Sequence, residues 1–284
     1  MRRLYFGRRG MGGGSGARGR RGFRVLPLIL FAGVLLYYVN IHQQRVPVTG
    51  RTQIVDISKE TEAQLGLSAY QEILSGATLI TEGPEYERVQ RVARRLAAAV
   101  EDSDIQWQFN LIRSRQANAF ALPGGLIAVY SGILPVAKND AGLAAILGHE
   151  MAHVIARHGA ERMTHERLRQ LGGVALSSSV GEMDPTTRNL VMGAFGLGSQ
   201  YGVMLPFSRK HESEADLMGL LYLARACFNP EEAPQVWQRM KEAGDGGSPL
   251  ELLSTHPAHD TRIEELQAQL PQARKLYSSS CPRS

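Results

Sequence analysis

Residues 144–159 read AAILGHEMAHVIARHG. The run is apolar and alanine-rich, as a buried helix would be, yet it carries His149, Glu150, His153 and His158. Four residues turn a helix by about 400°, so His149 and His153 project from one face, a turn apart. Two imidazoles so placed suit one tetrahedral metal ion. Glu150 falls near the same face, where its carboxylate reaches a metal-activated water without filling the coordination sphere. Burying three such side chains without partners would cost several kcal/mol, and a metal removes that cost. The pattern predicts one Zn2+ per chain, held by His149 and His153, with Glu150 as general base. His158, five residues beyond His153, projects about 140° away and is not counted as a ligand.

Two histidines need a third protein ligand. Downstream, SRKHESEADLMG (208–219) opens a helix in which Glu212 and Asp216 are four apart and share a face. One of the two can bind the metal while the other accepts a hydrogen bond from a ligating histidine. Glu214 lies off that face and suits a charged helix start.

The rest of the chain supplies a frame for these segments. Helices are expected over Ser58–Leu74, Pro84–Val100, Asp140–His158, Glu212–Ala226, Pro230–Ala243 and Arg262–Leu270. Two more are expected within 166–204, broken at GEMDPT (181–186). Residues 106–112 and 125–130 alternate or run apolar like strands, with NAFALPGG (118–125) between them. GDGGSP (244–249) reads as a loop. The order predicts an α+β fold, mainly helical with a small β-sheet.

The front of the chain differs in kind. Its first 24 residues hold eight arginines and no acid, whereas the remaining 24 basic residues face 27 acidic ones. The net charge of +5 therefore belongs to a low-complexity tail, and a basic body suited to nucleic acid is not indicated. Residues 25–39, VLPLILFAGVLLYYV, form a 15-residue apolar run, roughly 22 Å as a helix. With flanking residues, Tyr37 and Tyr38 at the interface and Arg24 snorkelling, it reads as a transmembrane signal anchor over 25–41. The expected organisation is a basic tail (1–24), the anchor (25–41), a linker (42–57), a catalytic domain (58–277) and a short C-terminal tail (278–284). The positive-inside rule then places the body across the membrane from the tail. Cys227 and Cys281 form no zinc-cluster spacing; a disulfide between them in an oxidising compartment stays open.

HEMAH, a downstream ESEAD preceded by SRK, NAFALPGG and the C-terminal STHPAHDTRI, in that set, resemble the HtpX, BepA and LoiP metallopeptidases. Oma-type mitochondrial proteases and CAAX prenyl proteases are relatives of that family. The resemblance spans roughly Ser58–Leu270 and implies a zincin-like domain that hydrolyses peptide bonds. It implies that Glu212 is the third zinc ligand and that Asp216 supports a ligand. It further implies that Asn118, Ala119, Phe120, Ala121, Leu122 and Pro123 form an edge strand lining the cleft. It places His256 near the metal, either plugging the site or helping the transition state, with Arg262 assisting the oxyanion; His259 reads as a surface residue. The implied substrates are unfolded or misassembled envelope proteins, with membrane lipid contacted through the N-terminal helix. The implied location is the bacterial inner membrane facing the periplasm, or alternatively the mitochondrial inner membrane. A zinc-stabilised envelope chaperone is the competing function.

Overall fold

The computed structural model describes residues 23–100, 105–245, 252, 256 and 260–281. The arginine-rich tail to residue 22, the loop at 246–249 and His259 lie outside the described residues. Helices dominate, and a four-stranded sheet of order β3–β4–β6–β5 stands beside them. Its strands are β3 (Leu79–Ile80), β4 (Gln108–Ile112), β5 (Ala119–Leu122) and β6 (Leu126–Tyr130).

Strands β4 and β6 run parallel, and the other pairs are antiparallel. Strand β6 is buried on both faces, because α2 (Lys59–Ser75) covers one and α3 (Pro84–Ala99) with α5 (Asp140–Ile155) covers the other. Burial on both faces explains its unbroken LIAV run. Tyr70 of α2 anchors its cover by donating to the Ile127 carbonyl at 2.7 Å. The β5–β6 hairpin turns through Gly124 and Gly125 at φ 87° and 88°, a region closed to most side chains. Strand β5 is left as a sheet edge.

Helix α5 is buried along most of its length, with Leu143, Leu147 and Met151 fully enclosed. Asn139 caps it by accepting from the Gly142 amide at 2.8 Å. The helix stops three residues before His158, because Arg157 is left-handed at φ 56°. That conformation is held by Glu62 at 2.7 Å, Gln44 at 2.8 Å and the Ile57 carbonyl at 2.6 Å. Helix α6 (His158–Val180) then leaves in a new direction, followed by α7 (Pro185–Ser199), as the break at 181–186 suggests.

Helix α8 begins earlier than expected, at Leu205, and runs to Arg225; a π-helical turn at Gln200–Met204 joins it to α7. It crosses α5 where Gly148 meets Gly219. A Cβ built on Gly219 would lie 2.8 Å from the His149 backbone nitrogen, so the two backbones touch. Short α4 (Leu134–Ala137) and α9 (Glu232–Asp245) complete the surround of α5. The final helix, α10, spans Asp260–Ser280, longer than Arg262–Leu270, because Ala273, Leu276 and Tyr277 continue the stripe begun by Leu266 and Leu270. A Cys227–Cys281 disulfide fastens its end to the chain just after α8.

Ahead of the domain, α1 (Leu26–Ile41) lies against α6 and buries none of its residues within the protein. Among the described residues no helix is long and apolar enough to cross a membrane. The span 42–57, expected as an extended linker, contains a hairpin of β1 (Gln43–Arg45) and β2 (Thr52–Ile54). Val46 and Val55 seat it in the body, and Arg51 ties it to Glu161 and Glu214, partners remote in sequence.

Candidate metal centre

Helix α5 presents His149 and His153 side by side, with Nε2 atoms 3.1 Å apart. Helix α8, held against α5 by the glycine contact, brings Glu212 to them. Its oxygens lie 3.3 Å from His149 Nε2 and 3.6 Å from His153 Nε2. His256 completes the group, its Nδ1 3.3 Å from His149 Nε2 and 2.9 Å from the nearer Glu212 oxygen. One ligand atom from each of His149, His153, Glu212 and His256 falls within 4.8 Å of all the others.

The surrounding contacts decide whether a cation fits. Asp216 places Oδ1 2.9 Å from His149 Nδ1, which sets the proton on that nitrogen. Glu214 stands 3.0 Å from His158 Nε2, so His158 donates there and turns the lone pair of Nδ1 towards His153. His153 Nδ1, 2.8 Å away, then carries the proton on that side. Both Nε2 atoms therefore converge with a carboxylate on one point; a proton there bonds His149 to Glu212, and a cation in its place takes all three as ligands. A divalent cation is what such a set accommodates, and the donors (nitrogen, nitrogen, oxygen) suit zinc.

The electrostatics agree. Burial works against a charged His149, but hydrogen bonds to Asp216 and Glu212 raise it to about 9, so the two carboxylates draw a proton, or a cation in its place, to this ring. Glu212 is held far below the usual carboxylate range: burial opposes this, but hydrogen bonds from His149 and His256 prevail. His153 is pushed well down by burial and by the neighbouring His149. Burial raises Glu150. Its Oε2 accepts from the Ala121 amide at 3.1 Å, while Oε1 is buried and has no hydrogen-bond partner among the described residues. An acceptor so placed, beside the metal group, suits a water.

The structure thus brings together His149, Glu150, His153, Glu212, Asp216 and His256. Arg262 is placed differently from the expected oxyanion position. It is buried, gives Nε and Nη2 to Asp216 at 2.7 and 2.8 Å, and stacks its guanidinium 3.9 Å from the Trp237 ring centre. Its Nη1 lies 3.2 Å from Glu212, so it braces the carboxylates of α8. Of the expected cleft strand, Ala121 meets Glu150. Phe120 and Leu122 pack on the opposite face of the sheet, and Pro123 abuts Gly66 of α2. Asn118 and the fully buried Ala119 lead into the strand.

Two contributors escape a reading by spacing. His158 reaches His153 because α6 restarts after Arg157. Glu214 reaches His158 by packing, with Thr49 and Arg51 on its other side; hydrogen bonds from His158, Thr49 and Arg51 hold it at about 2 against the effect of burial. Their signal is only that a buried-helix sequence is followed by more polar groups than a core tolerates.

Residues 84–270 match the model of peptidase family M48. The chain is 37% identical over 257 residues to the mitochondrial metalloendopeptidase OMA1 of Schizosaccharomyces pombe, covering 89% of this chain and 74% of that protein. It is 33% identical to its Saccharomyces cerevisiae counterpart, over 89% of this chain and 76% of that one. It is also 28% identical to the beta-barrel assembly-enhancing protease of Yersinia pestis, over 78% of this chain and 46% of that one. Taken with the converging donors, these matches show that the chain belongs to peptidase family M48 and is a zinc-dependent metalloendopeptidase.

Proposed function

We propose that this metallopeptidase cleaves unfolded or misassembled membrane and envelope proteins at a centre built from His149, His153 and Glu212, with Glu150 as the general base. The observation that carries the reading is the placement of Glu150. One oxygen is tied to the edge-strand amide of Ala121; the other has no hydrogen bond among the described residues and lies beside the metal group, 3.7 Å from His256 Nε2.

His149, His153 and Glu212 would hold the ion, and His256 would close its remaining side in the resting protein. Bound zinc supplies Lewis acidity, making water nucleophilic near neutral pH and drawing charge from a carbonyl oxygen. Glu150 Oε1 takes the proton of the attacking water, a task its burial favours by raising its basicity. The same carboxyl then gives that proton to the leaving amine nitrogen. Asp216, braced by Arg262, keeps His149 in the tautomer that presents Nε2. A substrate strand pairs with the outer edge of β5, where the Ala121 amide points away from β6. Backbone pairing carries little sequence preference, which supports unfolded segments as substrates.

The location follows from the same features. Helix α1 would anchor the domain, at the bacterial inner membrane facing the periplasm or at the mitochondrial inner membrane. The Cys227–Cys281 disulfide favours an oxidising compartment. The proposed organisation keeps a catalytic body over 58–277, with the hairpin of 42–57 packed on it.

Glu150→Gln tests the base. It is expected to keep zinc at one ion per chain while cleavage of casein falls about 10²–10⁴-fold. Cleavage at the wild-type rate, with zinc retained, would overturn the assignment. A protein that retains zinc and suppresses aggregation of a client, yet never cleaves in wild-type form, would instead be the zinc-stabilised chaperone.

A further inference from the structure

Three helices that the catalytic centre does not use share an apolar surface. On α1, Leu26, Ile29, Leu30, Val34, Leu36 and Tyr37 are each at least 60% exposed. The same band continues over Leu171 and Val174 of α6 and over Leu190 and Leu197 of α7, exposed to 49–69%. The helices pack on one another through small and aromatic groups. Phe31 of α1 and Phe195 of α7 both come to rest on Gly172 of α6. So many apolar groups on several faces of one bundle exceed what a water-exposed surface ordinarily shows.

The charges bound this band at two levels. At one end Arg24 pairs with Glu182, its amide donates to the Ser179 carbonyl at 2.8 Å, and Asp184 caps α7. At the other, Asp56 takes Tyr38 and Arg167 together, and Arg162 reaches Ser208 at 3.2 Å. Between these levels the sequence carries no charge over 25–39, over 170–181 or over 189–208. Arg169 stands at the lower rim, paired with Glu166. From Arg24 to Tyr38, and from Arg167 to Glu182, the distance along the helix is about 22 Å. Arginine stems and tyrosine rings at both rims extend that towards the ~30 Å of a hydrocarbon layer.

We propose that α1, the C-terminal part of α6 and α7 enter the lipid bilayer together as a three-helix unit. The proposal rests on the reading of α1 as a membrane anchor and extends it to a hairpin inserted within the catalytic body. A bilayer is favoured over a protein partner because the exposed apolar residues fall on more than one side of α1 and the polar pairs close both ends of α1 and α6 together. A planar layer imposes both features, whereas a partner covers one face. All backbone in the band is helical, as hydrocarbon requires. Both ends of the hairpin then lead straight to the metal centre. Helix α6 starts at His158, against His153, and Ser208 at the rim precedes Glu212 by four residues, about 6 Å. The cleft is thereby fixed at the membrane surface, and its substrates are polypeptide segments where they leave the bilayer.

The test uses the full chain, whose own cysteines are paired, with single cysteines at Leu30, Val174, Leu190 or Leu197 carrying an NBD dye. Arg94, exposed on α3, serves as the aqueous control. Each variant is reconstituted in phosphatidylcholine–phosphatidylglycerol vesicles with or without doxyl-labelled lipid and checked for one zinc per chain. The expected result is quenching by the labelled lipid at Val174, Leu190 and Leu197 as strong as at Leu30, and none at Arg94. Quenching at Leu30 alone would overturn the three-helix unit and leave the anchor standing. No quenching at Leu30 would overturn both. A blue-shifted, unquenched dye at Val174 and Leu197 would show a protein partner or a second copy on this face and overturn the proposal. Two labelled positions on α7 keep the test open should one variant lose its zinc.

Discussion

His153 has two ring nitrogens, and the one turned from the metal group is held by His158, itself held by Glu214. Without that pair the ring could flip its tautomer and offer N–H where a lone pair is needed. His158→Ala is therefore expected to weaken zinc binding roughly 10–100-fold, read by competition with a chromogenic chelator. An unchanged affinity would reduce His158 to core packing. At this residue sequence and structure part. His149, Glu150 and His153 are legible because one helical turn determines which groups share a face. His158 is not, since extending the same helix points it away. The left-handed Arg157 redirects the chain, and its bracing groups at Gln44, Ile57 and Glu62 lie a hundred residues off. Arg262 was named only through the resemblance, and its contacts were hidden: its partner Asp216 and its platform Trp237 become neighbours only when α8, α9 and α10 pack.

Among the elements, β5 is where sequence and structure meet most closely. The resemblance implied an edge strand over 118–123, and the structure has one at Ala119–Leu122, yet alternation sends Phe120 and Leu122 to the α2 face and leaves the Ala121 amide to meet Glu150. The group that matters is an amide, which no side-chain pattern displays. Ala121→Pro deletes that amide at an edge, where proline is tolerated. The variant should fold with near wild-type melting temperature and bind zinc, but cleave unfolded substrate at least ~10-fold more slowly, in kcat/KM, for want of the contact to Glu150. Full activity would remove β5 from the mechanism. Helix ends were the weaker part of the sequence reading. The early start of α8 depends on the π-helical turn before it, and the late end of α10 on a stripe that matters only once α8 lies beneath it. The β1–β2 hairpin was hidden for the same reason, since the partners of its Arg51, Glu161 and Glu214, sit on α6 and α8.

At the level of the whole molecule, the disulfide ties together positions that lie 54 residues apart in sequence and encloses α9 and all of α10 between them. Closing a loop of that length restricts the unfolded chain, and reduction should remove about 2–4 kcal/mol. Reduction and alkylation are expected to lower the melting temperature, and equal melting before and after would show that the bond does not constrain unfolding. The pairing of Cys227 with Cys281 was open in the sequence because no spacing rule predicts that α10 returns to the end of α8. A last consequence belongs to the place where Gly148 and Gly219 let two backbones touch. The residues that would hold the ion, His149 and His153 on one helix and Glu212 on the other, are divided across that contact. Prising the helices apart by one methyl width, as in Gly219→Ala, would draw the donors apart together. Heated with cobalt in place of zinc, the protein should lose visible absorption and helical ellipticity at a single temperature, and Gly219→Ala should move both downwards in step; demetallation and melting are the same event.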